Sequence, residues 1–223
     1  MNSKDLKNIS GTQPEEMEQT FAFMIKYKNH LFGLLIAIGV LIVGYNYYQK
    51  SVEEGKVLAQ NKFYEISKLF SEKDFDEVIT KGPEYASKLS GYDAAAEINV
   101  LVAKSYFAKG DYLKAIESSK SVSSSKDLII YAAKSVLASA YINQFMTTKD
   151  SKDAVEAAKV FESIVPLADG MFADDSNYNA AYAYFLAGNK DKAKSILEIL
   201  KEKKYDVNPK SVKDKVEDLL GRL

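Results

Sequence analysis

Histidines, cysteines and clustered acids are the side chains that most often carry catalysis or hold a metal, and this chain is poor in all three. His30 is its only histidine, and it has no cysteine. A lone imidazole inside an apolar run offers neither a histidine-based triad nor a multi-histidine metal site. Without a thiol there is no disulfide, thiolate nucleophile, cysteine zinc site or lipidated cysteine. Asp169, Asp174 and Asp175 are acids close enough together to suggest paired-carboxylate or cation chemistry. They lack partners at ligand spacing, and capping of a helix that starts near Ser176 explains them more simply. No nucleophile–base pair or phosphate-cradling loop appears. The expectation is no catalytic residue, no cofactor, no metal and no enzyme.

The chemistry that remains is that of surfaces. The 223 residues include 30 basic and 31 acidic side chains, for a net charge of −1. That balance argues against a general nucleic-acid binder, which needs a basic face. Arg222 is the only arginine, so the bidentate recognition of phosphate that arginine provides is almost missing. Hydrophobic residues at 47% and charged residues at 27% are ordinary for a folded chain.

One segment departs from that average. Between Lys28 and Lys50 lie 21 residues without a formal charge, and Leu31 to Val43 are all apolar or glycine. As a helix this run spans roughly 31 Å, the thickness of a bilayer's hydrocarbon core. Tyr27, Tyr45, Tyr47 and Tyr48 flank it where amphipathic rings favour the membrane–water interface. A cleavable signal is disfavoured by the polar stretch ahead of the run and by the lack of a small-x-small site after it. A buried core helix would need more covering apolar surface than the rest of the chain can spare. The expected division is a tail with a short amphipathic lead-in over residues 1–27, a transmembrane helix over 28–49 and a helical domain over 50–223. Gly33 and Ala37 form a small-xxx-small pair of the kind that lets helices associate, a pattern also common by chance. Lys50, Lys56, Lys62 and Lys68 outnumber Lys26 and Lys28, which leans toward the C-terminal side being inside.

Beyond Ser51 helical spacing dominates and a register recurs. Asp74-Phe-Asp-Glu-Val78, Asp111-Tyr-Leu-Lys-Ala115, Asp150-Ser-Lys-Asp-Ala154 and Asn189-Lys-Asp-Lys-Ala193 start at spacings of 37, 39 and 39 residues. Each follows one helical run and precedes another. Gly110 and Gly188 suit a left-handed helix end, Asp111 and Asn189 suit the next N-cap, and Ala115, Ala154 and Ala193 allow close helix approach. A single helix pair cannot bury its own apolar face, so the pairs must stack. Asn208-Pro209 breaks the pattern, and Lys210–Leu220 reads as a helix that caps the stack with Val212, Val216, Leu219 and Leu220 inward.

Ala103-x-x-Tyr106-x-x-x-Gly110-Asp111-Tyr112-x-x-Ala115 and Ala181-x-x-Tyr184-x-x-x-Gly188-Asn189-x-x-x-Ala193 resemble the middle of tetratricopeptide repeats. The Asp74 unit departs from the pattern with Lys73 for glycine and Val78 for alanine. The Asp150 unit departs with Lys149 for glycine. It fits best with Ala138 and Tyr141 in register and about four extra loop residues around Met146–Lys149. The resemblance covers roughly Phe63 to Lys203 and implies an all-α solenoid of about four helix–turn–helix repeats behind one transmembrane helix.

Tail, single anchor and repeat domain in that order are similar to the ancillary subunit of the bacterial SecYEG translocon. That likeness implies a bacterial inner-membrane protein with its tail in the cytoplasm and its repeats in the periplasm, a scaffold or chaperone-like binder of exported chains. The alternative is a cytosol-facing adaptor that recruits soluble partners. Such solenoids bind protein segments along a face lined by the first helix of each pair. Tyr178, Tyr182 and Phe185 share one helical face there, and Lys104 and Phe107 are the matching positions one usable repeat earlier. Those aromatics suit a binding strip, or packing against the preceding repeat.

Overall fold

The computed structural model describes residues 14–167, 171–203 and 209–223, all of whose regular elements are helical. Two units divide the chain, Met1–Gly55 and Lys56–Leu223. Helix α1 (Pro14–Ser71) begins in the first and ends in the second. The tail before Pro14 lies outside the described residues.

In the first unit the apolar helix is exposed. Between Phe32 and Val43, nine large apolar side chains are exposed. At about 1.5–3 kcal/mol for each one buried, leaving them in water forgoes roughly 14–27 kcal/mol. That matches or exceeds the whole stability of an ordinary domain, about 5–15 kcal/mol. The stretch beginning at Phe21 is long and apolar enough to cross a membrane, and none of its most apolar window is buried, which makes it a candidate membrane span.

The second unit is a stack of helix pairs. Its helices after α1 are α2 (Phe75–Lys88), α3 (Asp93–Ala108), α4 (Tyr112–Lys120), α5 (Asp127–Thr148), α6 (Ser151–Ile164), α7 (Met171–Leu186), α8 (Lys190–Glu202) and α9 (Pro209–Gly221). The end of α1 with α3, α5 and α7 supplies the first helix of each pair, and α2, α4, α6 and α8 supply the second. The expected caps form. Asp74, Asp111, Asp150 and Asn189 each accept a hydrogen bond from a backbone N–H in the first turn of the helix that follows, at 3.0–3.3 Å. Gly110 and Gly188 end their helices at φ +79. Lys73 and Lys149 hold the same left-handed position at φ 63 and 59, at a steric cost of about 1 kcal/mol each.

Alanines set the spacing between layers. Ala103, Ala138 and Ala181 on the first helices and Ala115, Ala154 and Ala193 on the second are all fully buried. Val78 fills the same register on α2 and is also fully buried. Gly82 of α2 also allows close approach, since an added Cβ there would collide with the Val102 side chain of α3.

Two local expectations are corrected. Met146–Thr148 are not loop but the last turn of α5, tied down as Thr147 and Thr148 donate to the Asn143 and Gln144 carbonyls at 3.0 Å. Lys149 then closes the helix, its N–H bonded to the Phe145 carbonyl at 2.7 Å. Helix α7 begins at Met171, well before Ser176, so Asp174 lies in its first turn rather than ahead of it, and Ser176 donates inside the helix to the Phe172 carbonyl at 2.8 Å.

Helix α9 closes the stack as its pattern predicts. Val212, Val216 and Leu219 are buried against Ala181, Leu197 and Leu200.

Candidate functional site

Helices α3, α5 and α7 lie in one layer and so share a face. Along it runs a groove of about 640 Å³, with Phe107 of α3, Tyr131 and Ile142 of α5, and Phe172 and Tyr182 of α7 on its walls. Lys215 of α9 stands at one end of it.

The hollow exists because α5 is small where its neighbour is large. Aligning the fully buried Ala138 with Ala181 sets Ser135, Ser139 and Ile142 opposite Tyr178, Tyr182 and Phe185. All three α5 residues line the groove. The two serines leave open the volume that two tyrosine rings fill on α7. The sequence already held that alignment, since Ala138 and Tyr141 are in register with Ala181 and Tyr184. A search for aromatic strips passes over the serines because it looks for what is large.

The five residues singled out from sequence divide. Phe107 and Tyr182 line the groove, while Tyr178, Phe185 and Lys104 do not. Tyr178, Tyr182 and Phe185 are all part-buried against the Ala181, Leu197, Val212 and Val216 cluster beneath α9. Phe185 also packs onto the cluster shared by α5, α6 and α7. The aromatic strip therefore meets the capping helix as well as the preceding repeat, and only Tyr182 serves both packing and groove. Burial, chiefly, raises the Tyr178 phenol above its ordinary pKa, and the Lys215 ammonium sits 5.9 Å from its ring centroid.

Polar groups in the groove fall into two kinds. Ser135 donates to the Tyr131 carbonyl at 2.8 Å, Ser176 to the Phe172 carbonyl, and Asn143 to the Ser139 carbonyl at 2.9 Å. Their donors are thus turned inward and their oxygens remain as acceptors. The side chains of Asn179 and Ser139 make no hydrogen bond to any described residue. Among the described residues the charges on the lining are Asp175 and Lys215, one of each sign.

The acids considered for metal chemistry separate as well. Asp174 has a side chain only 6% exposed and is paired with Lys203 at 2.6 Å, which ties the start of α7 to the end of α8. Asp175 faces the groove, and Asp169 lies outside the described residues. Among the described residues no cluster of three metal-ligating side chains occurs.

Below the groove, the stack is held by a buried phenol. Tyr184 donates to the Glu162 carboxylate at 2.9 Å, and burial followed by this bond pushes its pKa up to about 12. Lys192 lies 4.9 Å from the centre of the same ring.

A family model described as a tetratricopeptide repeat-like domain matches residues 22–129, and one described as a tetratricopeptide repeat matches residues 175–205. No curated protein and no solved structure matches the chain. The first match takes in the apolar helix together with α2, α3 and α4, and the second takes in most of α7 and all of α8. With the stacked pairs, the capped turns and the shared groove, these matches establish that the chain carries tetratricopeptide-like repeat domains, a fold that serves protein–protein interaction.

Proposed function

We propose that this protein is a membrane-anchored scaffold that holds segments of other proteins in the groove of its repeat domain, on the periplasmic side of a bacterial inner membrane. Beside the translocon or an envelope assembly machine, such a protein would hold newly exported chains. The observation that carries the binding reading is the groove itself. It combines aromatic walls with the unpaired side chains of Ser139 and Asn179 on α5 and α7, as expected of a surface that grips a segment of chain. The observation that carries anchoring is the bare apolar helix, whose exposure only a lipid phase or another apolar partner relieves. The match over residues 22–129 supports joining the two, since it spans both the apolar helix and the first repeats.

A second reading places the repeats in the cytosol, where the protein would recruit soluble partners. Lys50, Lys56, Lys62 and Lys68 after the span favour it over Lys26 and Lys28 before it. Large trailing domains cross membranes largely regardless of such charges, so the periplasmic reading is retained. Protease added to cells with an opened outer membrane separates the two. Cleavage of the repeats while the inner membrane is intact is the expected result, and protection until it is lysed would establish the cytosolic side. Neither reading assigns the protein a reaction.

A further inference from the structure

We propose that the groove takes an extended, uncharged segment of a protein chain and seats one aromatic or large aliphatic side chain over the Ser135–Ser139 floor. The proposal rests on the groove being the binding face, and it goes on to name what that face selects.

Three features of the lining argue for this occupant. The first is shape. Serines at two positions that carry tyrosines on α7 make a recess whose lining includes Phe107, Tyr182 and the Tyr131 and Phe172 rings, the last two in edge contact at 6.0 Å between centroids. A planar ring or a branched aliphatic chain fills such a recess and gains from burial against aromatic walls. A run of glycine and serine leaves it unfilled.

The second feature is hydrogen bonding. A peptide backbone offers one donor and one acceptor per residue, and burying either without a partner is costly. Asn179, with both an amide N–H₂ and a carbonyl, has no side-chain partner among the described residues, and neither has the Ser139 hydroxyl. Ser135, Ser176 and Asn143 have turned donors into their own helices, so their oxygens accept what a backbone N–H donates. The lining thus supplies both polarities without a charged group.

The third feature is electrostatic. Among the described residues Asp175 and Lys215 are the ionised groups on the lining, and they oppose each other in sign. A strongly acidic segment meets Asp175 and a strongly basic one meets Lys215. Either gives up hydration on entering an aromatic groove without a compensating cluster of counter-charge. An uncharged segment does not incur that cost.

The test uses the full chain in detergent or nanodiscs and fluorescent peptides of equal length. One is uncharged with a central phenylalanine, one has serine in its place, and two others keep the phenylalanine among glutamates or among lysines. The uncharged phenylalanine peptide is expected to bind best, with serine in its place weakening it about tenfold. Its affinity is expected to change less than about twofold between low and high salt, since no net charge is neutralised. Ser139→Tyr fills the recess with the residue that α7 carries in the same register, and is expected to weaken binding about tenfold with the helical signal unchanged. Asn179→Ala removes an unpaired amide and gives an independent reading if Ser139→Tyr disturbs the fold. Stronger, salt-sensitive binding of the glutamate or lysine peptide, lost in Ser139→Tyr, would overturn the uncharged-segment proposal and leave the groove reading standing. Peptide binding that both variants leave untouched would overturn the groove reading itself.

Discussion

Helices α5 and α7 are two versions of one design, and their difference makes the groove. In the register set by Ala138 and Ala181, the buried Ala138, Ala140 and Tyr141 recur as Ala181, Ala183 and Tyr184, while the facing positions are serine, serine and isoleucine on one and tyrosine, tyrosine and phenylalanine on the other. The inward register builds the stack, and the facing register is free to become either hollow or wall. A helix whose facing side chains are small next to one whose facing side chains are large creates a recess without any change of backbone. The larger partner is also the one that abuts α9, so its rings serve as packing as well as wall.

If the inward register is what holds the stack, damage there has the largest effect and is equal in both helices. Ala138→Leu and Ala181→Leu force extra methylenes into fully buried sites and are expected to cost about 1–3 kcal/mol each in urea titrations. A cost for one and none for the other would break the equivalence. The facing register is expected to behave differently. Ser139→Tyr should stay within about 0.5 kcal/mol of the parent.

Tyr182 tests the double role of α7. Sequence reasoning expects Tyr182→Ala to weaken capture with little loss of helicity, but its contact with the cluster beneath α9 adds a stability cost of about 1–2 kcal/mol. Faster proteolysis of α9 in the variant would be the accompanying sign.

Tyr184 sharpens the account through pH. Its phenol is raised from 10.0 to about 12 in the fold, so the native state holds this proton more tightly than the unfolded chain does. The stability it contributes is complete below about pH 10 and is lost as pH rises through about 12. Tyr184→Phe is expected to cost about 1 kcal/mol at neutral pH by removing the bond to Glu162. The gap between parent and variant should close as pH rises from 10 to 12. A gap constant across that window would contradict the assignment.

The smallest expected effects are gains. Ser119 of α4 is buried with its hydroxyl unpaired among the described residues, and it matches the fully buried Ala158 of α6, each being four residues beyond the register alanine. Ser119→Ala should stabilise by about 0.5–1 kcal/mol in the same titration. Lys149→Gly should gain a similar amount by relieving the left-handed backbone at φ 59, whereas Gly188→Lys should lose it.

Much of the stack was legible in the sequence because its rules are local. A capping Asp or Asn, an alanine four residues later and a left-handed turn before it are each set by neighbouring backbone, and Gly110 and Gly188 announced that turn. Lys73 and Lys149 did not, since lysine has no preference for positive φ and the surrounding turn imposes it. Met146–Thr148 read as loop because extra residues between repeats suggest an insertion. Instead the threonine hydroxyls, bonded back into α5, let them prolong the helix. The groove was half legible. Phe107 and Tyr182 follow from aromatic spacing, but Ser135 and Ser139 matter through the space they leave, which only the neighbouring helices define.

The measurement that bears most directly on the central claim places a diazirine-bearing aliphatic crosslinker at Ile142, which lines the groove, and, in a second variant, at Ile199, which is exposed on α8. Both are irradiated in the full chain bound to the uncharged phenylalanine peptide. The account predicts adducts from position 142 that an excess of unlabelled peptide suppresses, and none from position 199. Adducts from 199 with none from 142 would place binding on the second-helix layer and contradict it.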